Sequence, residues 1–458
     1  MKFFKLYVAF EAVCCCWFQN LVCAQQETTA SPNFVAVQVK ADPSFSWAPR
    51  PGTVQLGKIS KVNGTEAVLL TIGTGTAAGY RDGGLFRQGQ LTSYPNLVAR
   101  QMGLVDFKQP LFSVDKGNGT GYLVADGKGH WSKVVNNLAY LSPDSMRLSP
   151  SDENTIHNFS VPGNHPNKYL LNPTSQLEYA IKFYEENPSM KMRENSDLLW
   201  TAGEMPTALL SRFIPKQAGS AWDYLTQINP NAAIVDLNTD IYTQIHLNGG
   251  QAGILAARER YWELDVINFL NQKGAKYVYA TSPDILDFPY FHIFNPKTLP
   301  QIYSIDINML RNGSPNPEVL PAASILLPTQ NTRKLFDGKF TEYDCLLETD
   351  VITPDEMSRP DAYNKMVIQW SKEFNYPIVD FYTIYKTILK GDYITDDGLK
   401  IDPSYPGGNF FSSDGMYPSA IGQAVLANEV IKVFNKSFEA NIPLIHVGDF
   451  AKELTKIQ

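Results

Sequence analysis

Cysteine is almost missing from this chain beyond residue 23. Four of the five cysteines, Cys14, Cys15, Cys16 and Cys23, lie in the first 23 residues, and only Cys345 follows them. A single thiol cannot form a disulfide within the chain, which excludes a disulfide-stapled fold for residues 24–458. We expect Cys345 to be a small buried apolar residue, and stability to come from the size of the core.

An excess of basic residues is also missing. The chain has 39 Lys and Arg residues against 46 Asp and Glu residues, for a formal net charge of −7. No basic patch invites nucleic acid, so no nucleic-acid partner is expected. Beyond the N-terminus no apolar run reaches the length of a membrane span. The histidines lack metal-binding spacing such as HExxH, so neither a metal nor a cofactor is predicted: His130, His246, His292 and His446.

The N-terminus has the pattern of a secretory signal. Lys2 and Lys5 precede an apolar stretch that runs to Val22, and the small residue Ala24 offers a cleavage site. The sequence therefore predicts a signal peptide over residues 1–24 and a secreted or periplasmic, cell-envelope location. A lipoprotein anchor at Cys23 is a weaker alternative, because bulky residues precede that cysteine. Removing residues 1–24 changes the formal net charge from −7 to −8, because two lysines and one glutamate are lost.

Apolar runs and amphipathic stretches alternate along the rest of the chain. This pattern predicts an α/β protein with a parallel, doubly wound sheet. Strands are expected at 67–73, 197–202, 276–281 and 377–381, and helices near 94–102, 173–186, 252–273, 359–374 and 419–436. Ser93, before Tyr94 and Pro95, is expected to cap the first of these helices. The predicted organisation is an extended leader at 25–64, one domain at 65–440 with long loop insertions near 104–160 and 283–350, and a C-terminal tail at 441–458.

The most informative segment is VLLTIGTGTAAGY at 68–80, which continues as RDGGLFRQGQLTSYPNLVARQMG to residue 103. It resembles the first block of the SGNH/GDSL hydrolases, especially a secreted bacterial branch. In that branch the strand ends in a G-[DN]-S-L-T-A-G-[FY] turn followed by a DG-[AG]-L-[YF]-R-x-GQ loop. The flanking residues match, but Gly75 stands at the position of the nucleophilic serine.

Later blocks extend the resemblance over much of the chain. Residues 273–291, with PDILDFPYF, and 352–381 resemble two of the family's helix-to-strand passages. The closing block at 407–435 keeps Asp414 of the family's D-G-x-H-P turn, but Tyr417 stands at the position of the catalytic histidine. Gly163 matches the second block, whose glycine donates a backbone N–H to the oxyanion hole, and the resemblance implies that the N–H of residue 75 contributes to the same hole. The third block, which supplies an asparagine to the same hole, is matched to residues 200–205, where the asparagine position reads Glu204, or Met205 in a register shifted by one.

The resemblance implies a flavodoxin-like, three-layer α/β/α sandwich whose catalytic groups are mostly lost. Glycine offers no nucleophile, and a neutral tyrosine cannot take up a proton as imidazole does. An ionised Glu204 would repel a developing oxyanion. The sequence therefore favours a catalytically inactive protein that binds an ester, acylated glycan or lipid ligand.

Two alternatives remain open at this stage. One is an active carboxylic ester hydrolase, either a lipase, an esterase or a carbohydrate deacetylase, that uses Thr74 or Thr76 as nucleophile and His165 as base. The other is a structural component of the cell envelope that binds no ligand, with its protein partner unknown. Glycines in a tight turn and an aspartate before a glycine also occur in ordinary loops, so Gly75 and Asp414 alone do not decide between these hypotheses.

Overall fold

The structure of the protein is a computed structural model. It describes residues 35–39 and 53–59 and most of 67–455. The gaps within 67–455 fall at 105, 126–130, 143–144, 154, 164–171, 188–203, 238–239, 241, 244–245, 247–251, 297–308, 312–313, 317–320, 322, 342–343, 348–349 and 358. Two predicted features lie outside these residues, the strand at 197–202 and the signal peptide.

A four-stranded, all-parallel sheet forms the centre of the molecule. Its strands are Leu69–Gly73, Ala232–Asp236, Lys276–Ala280 and Ile378–Val379, and neighbours along the chain are neighbours in the sheet. The residues of the first two strands are all buried, as expected for parallel strands covered on both faces. Helices lie on both sides of the sheet, so the architecture is α/β and compatible with three α/β/α layers.

A short segment extends the sheet beyond its first strand. The N–H of Thr71 donates to the carbonyl of His157 at 2.8 Å, and the N–H of Phe159 donates to the carbonyl of Thr71 at 2.9 Å. These bonds make a parallel bridge between Thr71 and Asn158. The end of the expected insertion at 104–160 is therefore part of the central layer.

The remaining strands are short and belong to small peripheral sheets. They are Val35–Val37, Leu123–Ala125, Trp131–Val134, Met309–Arg311, Ser314–Asn316, Ile325–Leu326, Leu346–Leu347 and Val351–Ile352. Val35–Val37, from the predicted leader, pairs in parallel with Trp131–Val134, from the first insertion. The second insertion, expected near 283–350, contains the strands from Met309 to Leu347, and Val351–Ile352 follows it directly.

The helices agree closely with the amphipathic pattern of the sequence. They are Gly75–Ala78, Arg87–Leu91, Tyr94–Gln101, Pro173–Glu186, Glu204–Ser211, Ala221–Leu225, Ala252–Lys273, Gln330–Phe336, Asp361–Phe374, Phe381–Leu389, Ala420–Phe438 and Val447–Thr455. The last helix lies in the stretch expected to be a tail. Phe450 in it is fully buried and belongs to the main core, so this stretch is part of the domain.

One helix cap differs from the expectation. Ser93 precedes the Tyr94–Gln101 helix, but its side chain makes no capping bond. Its hydroxyl donates to Gln109 at 3.2 Å, while the N–H of Tyr94 donates to the side-chain oxygen of Gln423 at 2.8 Å. The Gln423 amide also donates to the carbonyl of Thr76 at 3.0 Å. Gln423 therefore ties the Ala420–Phe438 helix to the turn that contains Gly75.

Candidate functional site

Three chain segments meet at the carboxyl edge of the sheet. Gly75 follows the Leu69–Gly73 strand, Gly163 follows the segment paired with it, and Asp240 follows the Ala232–Asp236 strand. Parallel neighbours end at the same edge, where α/β proteins commonly place functional groups. Tyr417, more than 170 residues further along the chain, reaches the same point.

The carboxylate of Asp240 fills the centre of this site. Its Oδ2 accepts hydrogen bonds from the backbone N–H of Gly75 at 2.8 Å and of Gly163 at 2.7 Å. Its Oδ1 accepts from the Tyr417 hydroxyl at 2.8 Å. Asp240 is only 2% exposed. The two N–H groups that the sequence singled out as oxyanion donors therefore do converge, and a side chain of the same chain occupies them.

Tyr417 closes the site from the opposite side. It is buried, and its ring packs edge-to-face against Tyr80 with ring centroids 4.9 Å apart. Burial, followed by the charge of Asp240, raises the pKa of Tyr417 well above its usual value. Tyr417 is therefore a neutral hydrogen-bond donor and not a base.

Gly75 is required by these neighbours. A Cβ atom at this position would lie 2.7 Å from Cε1 of Tyr417 and 2.9 Å from Oδ2 of Asp240. These separations are shorter than van der Waals contact allows, so a serine side chain does not fit beside Tyr417 and Asp240 in this arrangement. Glycine is needed here for lack of space and not for its backbone conformation, because Gly75 is the first residue of an ordinary right-handed helical turn.

Asp414 is close to the site but serves the backbone. Oδ1 accepts from the Ser412 hydroxyl at 2.9 Å and from the N–H groups of Met416 at 2.8 Å and Tyr417 at 2.9 Å. Oδ2 accepts from the N–H of Gly83 at 2.9 Å. Burial raises the pKa of Asp414 to about 6, with Asp82 contributing in the same direction. Its carboxylate holds the 412–417 turn in shape.

A second carboxylate, that of Asp82 in the facing loop, also binds the turn that contains Asp414. Oδ1 of Asp82 accepts from the N–H of Ser413 at 2.8 Å, and the N–H of Asp82 donates to the Ser412 hydroxyl at 2.9 Å. With the Gly83 bond to Asp414, three hydrogen bonds join the Arg81–Gly84 loop to the 412–417 turn. We call this pair of segments the loop clamp.

Two buried carboxyl groups lie near each other beside the sheet edge. Asp236, the last residue of its strand, is 2% exposed and accepts from the Tyr94 hydroxyl at 3.0 Å. Burial raises the pKa of Asp236 to about 7, the charge of Asp240 adds to the rise, and the Tyr94 hydroxyl opposes it. Burial likewise raises the pKa of Asp240, against the effect of its three hydrogen bonds. Each additional negative charge here is costly because little water is present to screen it.

The alternative threonine nucleophiles are poorly placed. Thr74 is 1% exposed and its hydroxyl oxygen has no hydrogen-bond partner, while Thr76 is 3% exposed. Within the part of the chain that the structure describes, no histidine is hydrogen-bonded to either hydroxyl. His165 lies outside the described residues. The nearby His157 instead accepts from the N–H of Lys108 through Nδ1 at 3.2 Å.

The expected third block does not supply the group that contacts Gly75. Trp200 to Gly203 lie outside the described residues, Glu204 begins the Glu204–Ser211 helix, and Met205 packs against the core. The contact comes from Asp240, which sequence reasoning missed. The strand that precedes it has a local signal in NAAIVDLNTD at 231–240, where an apolar run ends in polar residues as a buried strand does, but this pattern does not single out Asp240.

Other classes of site receive no support from the described residues. Among them, no group of three or more His, Cys, Asp or Glu side chains is placed to hold a metal ion. In the same residues, no helix is both long and apolar enough to cross a membrane. Cys345 is partly buried.

Comparison with known proteins identifies no relative. No protein-family model, curated protein or solved structure matches this chain.

Proposed function

We propose that this protein is a non-catalytic, secreted protein of the SGNH/GDSL hydrolase type, whose former oxyanion hole is occupied by its own Asp240. The observation that carries the proposal is that one carboxylate oxygen accepts both the Gly75 and the Gly163 N–H groups, at 2.8 and 2.7 Å. An oxyanion hole stabilises a transition state only if its donors are available to the substrate oxygen. Here both donors are already used.

The order of the sheet supports this assignment. The segment around Asn158 is second in the chain and lies beside the first strand. If the five segments are numbered by their order in the chain, their spatial order across the sheet is 2-1-3-4-5, which is the order of flavodoxin-like folds. In such folds the ligand usually binds in the crevice between segments 1 and 3, which are numbered by their order in the chain and are neighbours in the sheet. Gly75 and Asp240 lie at that position.

The missing nucleophile would by itself prevent the usual reaction. Ester hydrolysis of this type requires a hydroxyl activated by a base within hydrogen-bond reach, and Gly75 has no side chain. Loss of one member of a serine triad costs about a million-fold in turnover in the well-studied case, and further losses add little. The Asp240 carboxylate adds a steric and an electrostatic block to the same position.

Among the non-catalytic hypotheses, the geometry favours a structural role over ligand binding at this cleft. Tyr417 and Asp240 are both buried against Gly75, so an ester, acylated glycan or lipid would have to displace them to reach the two N–H groups. We therefore propose that the domain acts as a scaffold at the cell envelope or outside the cell. The location rests on the signal-like residues 1–24.

Hydrolysis of p-nitrophenyl acetate and butyrate tests the loss of activity. We expect the rate with purified protein to equal the rate in buffer. A rate above background that is lost in Thr74→Val or Thr76→Val would contradict the proposal and favour the relocated hydrolase. Valine keeps the shape of threonine and removes only the hydroxyl, so these variants separate chemistry from packing.

A further inference from the structure

We propose that the N–H groups of Gly75 and Gly163 and the hydroxyl of Tyr417 form a carboxylate-binding site whose resident ligand is the Asp240 side chain. The site accepts a free small carboxylate when that side chain is shortened. This inference rests on the proposed non-catalytic function of the same cleft. It adds the class of chemical group, a carboxylate, that the three donors of this cleft select.

The arrangement of donors distinguishes a carboxylate from an ester carbonyl. Two donors point to one oxygen, Oδ2, and a third points to the other oxygen, Oδ1. An ester offers one strong acceptor, its carbonyl oxygen, because its alkoxy oxygen accepts hydrogen bonds only weakly, so the buried Tyr417 hydroxyl would be poorly satisfied. An unsatisfied buried polar group costs free energy, so the donor set matches a ligand with two strong acceptor oxygens on one carbon, as in a carboxylate.

The donors come from separate parts of the chain, and two of the three, Gly75 and Tyr417, are held by contacts other than Asp240. Gly75 is fixed by its strand and by the Gln423 contact to the neighbouring Thr76 carbonyl. Tyr417 is fixed by the 412–417 turn, where its own N–H donates to Asp414, and by its packing against Tyr80. Shortening residue 240 therefore leaves a preformed cavity lined by at least two anchored donors.

The size of the missing group sets the ligand for each variant. Asp240→Ala removes a carboxylate group, which corresponds to formate. Asp240→Gly also removes the methylene carbon, which makes room for acetate. We expect formate to raise the Tm of the Asp240→Ala protein saturably. The Kd should lie in the millimolar range, because a ligand of about three non-hydrogen atoms can reach no tighter affinity than this. At a concentration of about one hundred times Kd the rise should be about 3 °C in a chain of this size.

Thermal unfolding at constant ionic strength, with chloride replaced by formate or acetate, makes the measurement. The wild-type protein should show no difference between the salts, because Asp240 already fills the site. Asp240→Ala combined with Tyr417→Phe should bind formate at least several-fold more weakly, because one donor is removed. Acetate should stabilise Asp240→Gly more than Asp240→Ala.

Two results would overturn the inference: folded Asp240→Ala protein that responds equally to formate and chloride, or wild-type protein that responds to formate as strongly as the variant does. If Asp240→Ala does not fold in chloride, refolding from urea in formate should recover native protein, and failure to do so counts equally against the site. Asp240→Asn keeps an acceptor at the Oδ2 position and should fold without binding formate. Ester hydrolysis is measured separately, so activity in the wild type would contradict the proposed function without deciding this test.

Discussion

Gly75, Tyr417 and Asp240 share one small volume, so each of them limits what the other two positions can hold. A Cβ at residue 75 would lie within 3 Å of atoms of both neighbours. In return, the absence of that Cβ lets the Asp240 carboxylate approach the backbone N–H of residue 75 to 2.8 Å. Glycine at position 75 and the approach of Tyr417 and Asp240 are thus structurally linked.

Gly75→Ser alone should destabilise the protein and produce no ester hydrolysis. Overpacking of a buried position typically costs about 1–3 kcal/mol, and the added Cβ meets both Tyr417 and Asp240. Urea unfolding at pH 7 measures the change. Gly75→Ala should cost about as much, since the Cβ and not the hydroxyl causes the overlap. Wild-type stability in both variants would show that the site opens without cost.

Asp236 gives the site a dependence on pH whose sign follows from its raised pKa. Its carboxyl binds a proton more readily in the folded state, with a pKa of about 7, than in the unfolded chain. The associated stability is therefore present below the unfolded pKa of about 4 and is lost as the pH rises through about 7. Asp414, with a pKa of about 6, and Asp240 act in the same direction.

We expect Asp236→Asn to reduce this loss of stability. Its side-chain oxygen can still accept from the Tyr94 hydroxyl, but it carries no charge. As the pH rises from 4 to 8, the free energy of unfolding of the variant should increase relative to that of the wild type. The increase should be at most about 4 kcal/mol, which corresponds to about three pKa units. Chemical unfolding across this range gives the comparison, with the exposed Asp337→Asn as control. An unchanged pH profile would mean that Asp236 is not protonated more readily in the folded state.

At the scale of elements, the loop clamp gives Asp414 a structural role. Asp414 accepts four hydrogen bonds, three of them from backbone N–H groups, and it joins the 412–417 turn to the Arg81–Gly84 loop. Buried N–H groups need such partners. These backbone contacts are the role that the structure shows for Asp414.

Asp414→Ala should be among the most destabilising single changes at this edge of the sheet. Four donors would lose their acceptor, at about 1–3 kcal/mol for each one left unsatisfied, although water entering the space would reduce the total. Hydrogen exchange of the Gly83, Met416 and Tyr417 amides should accelerate together. Asp414→Asn, which keeps one oxygen, should show a smaller effect. Unchanged exchange in the alanine variant would contradict the structural role.

Much of the element pattern could be predicted because buried strands and amphipathic helices leave strong local signals. The helices at 173–186 and 252–273 begin and end at the predicted residues. The strand Ala232–Asp236 is not among the expected strands, because its apolar run is short and the resemblance assigns the corresponding block to 200–205. The parallel contact at Asn158 was missed because it is a single bridge within a loop-rich stretch.

The whole molecule shows which parts of the site depend on tertiary structure. The resemblance predicts that Gly75, Gly163, the 203–205 segment and Tyr417 lie around one cleft, and the structure brings Gly75, Gly163 and Tyr417 to one carboxylate. Asp240 was not predicted, because its role depends on where the sheet delivers the chain after a strand and not on a local pattern. The single core that joins the central sheet, the Ala420–Phe438 helix and the C-terminal helix holds these distant positions in register.

Intact-mass analysis after reaction with a fluorophosphonate probe tests the central claim most directly. The probe forms a covalent adduct with an activated hydroxyl nucleophile, and it needs access to the same donors that Asp240 now occupies. The account predicts that the mass of the wild-type protein stays unchanged, under conditions in which an active serine esterase is fully labelled. One adduct per chain, mapped to Thr74 or Thr76, would contradict it.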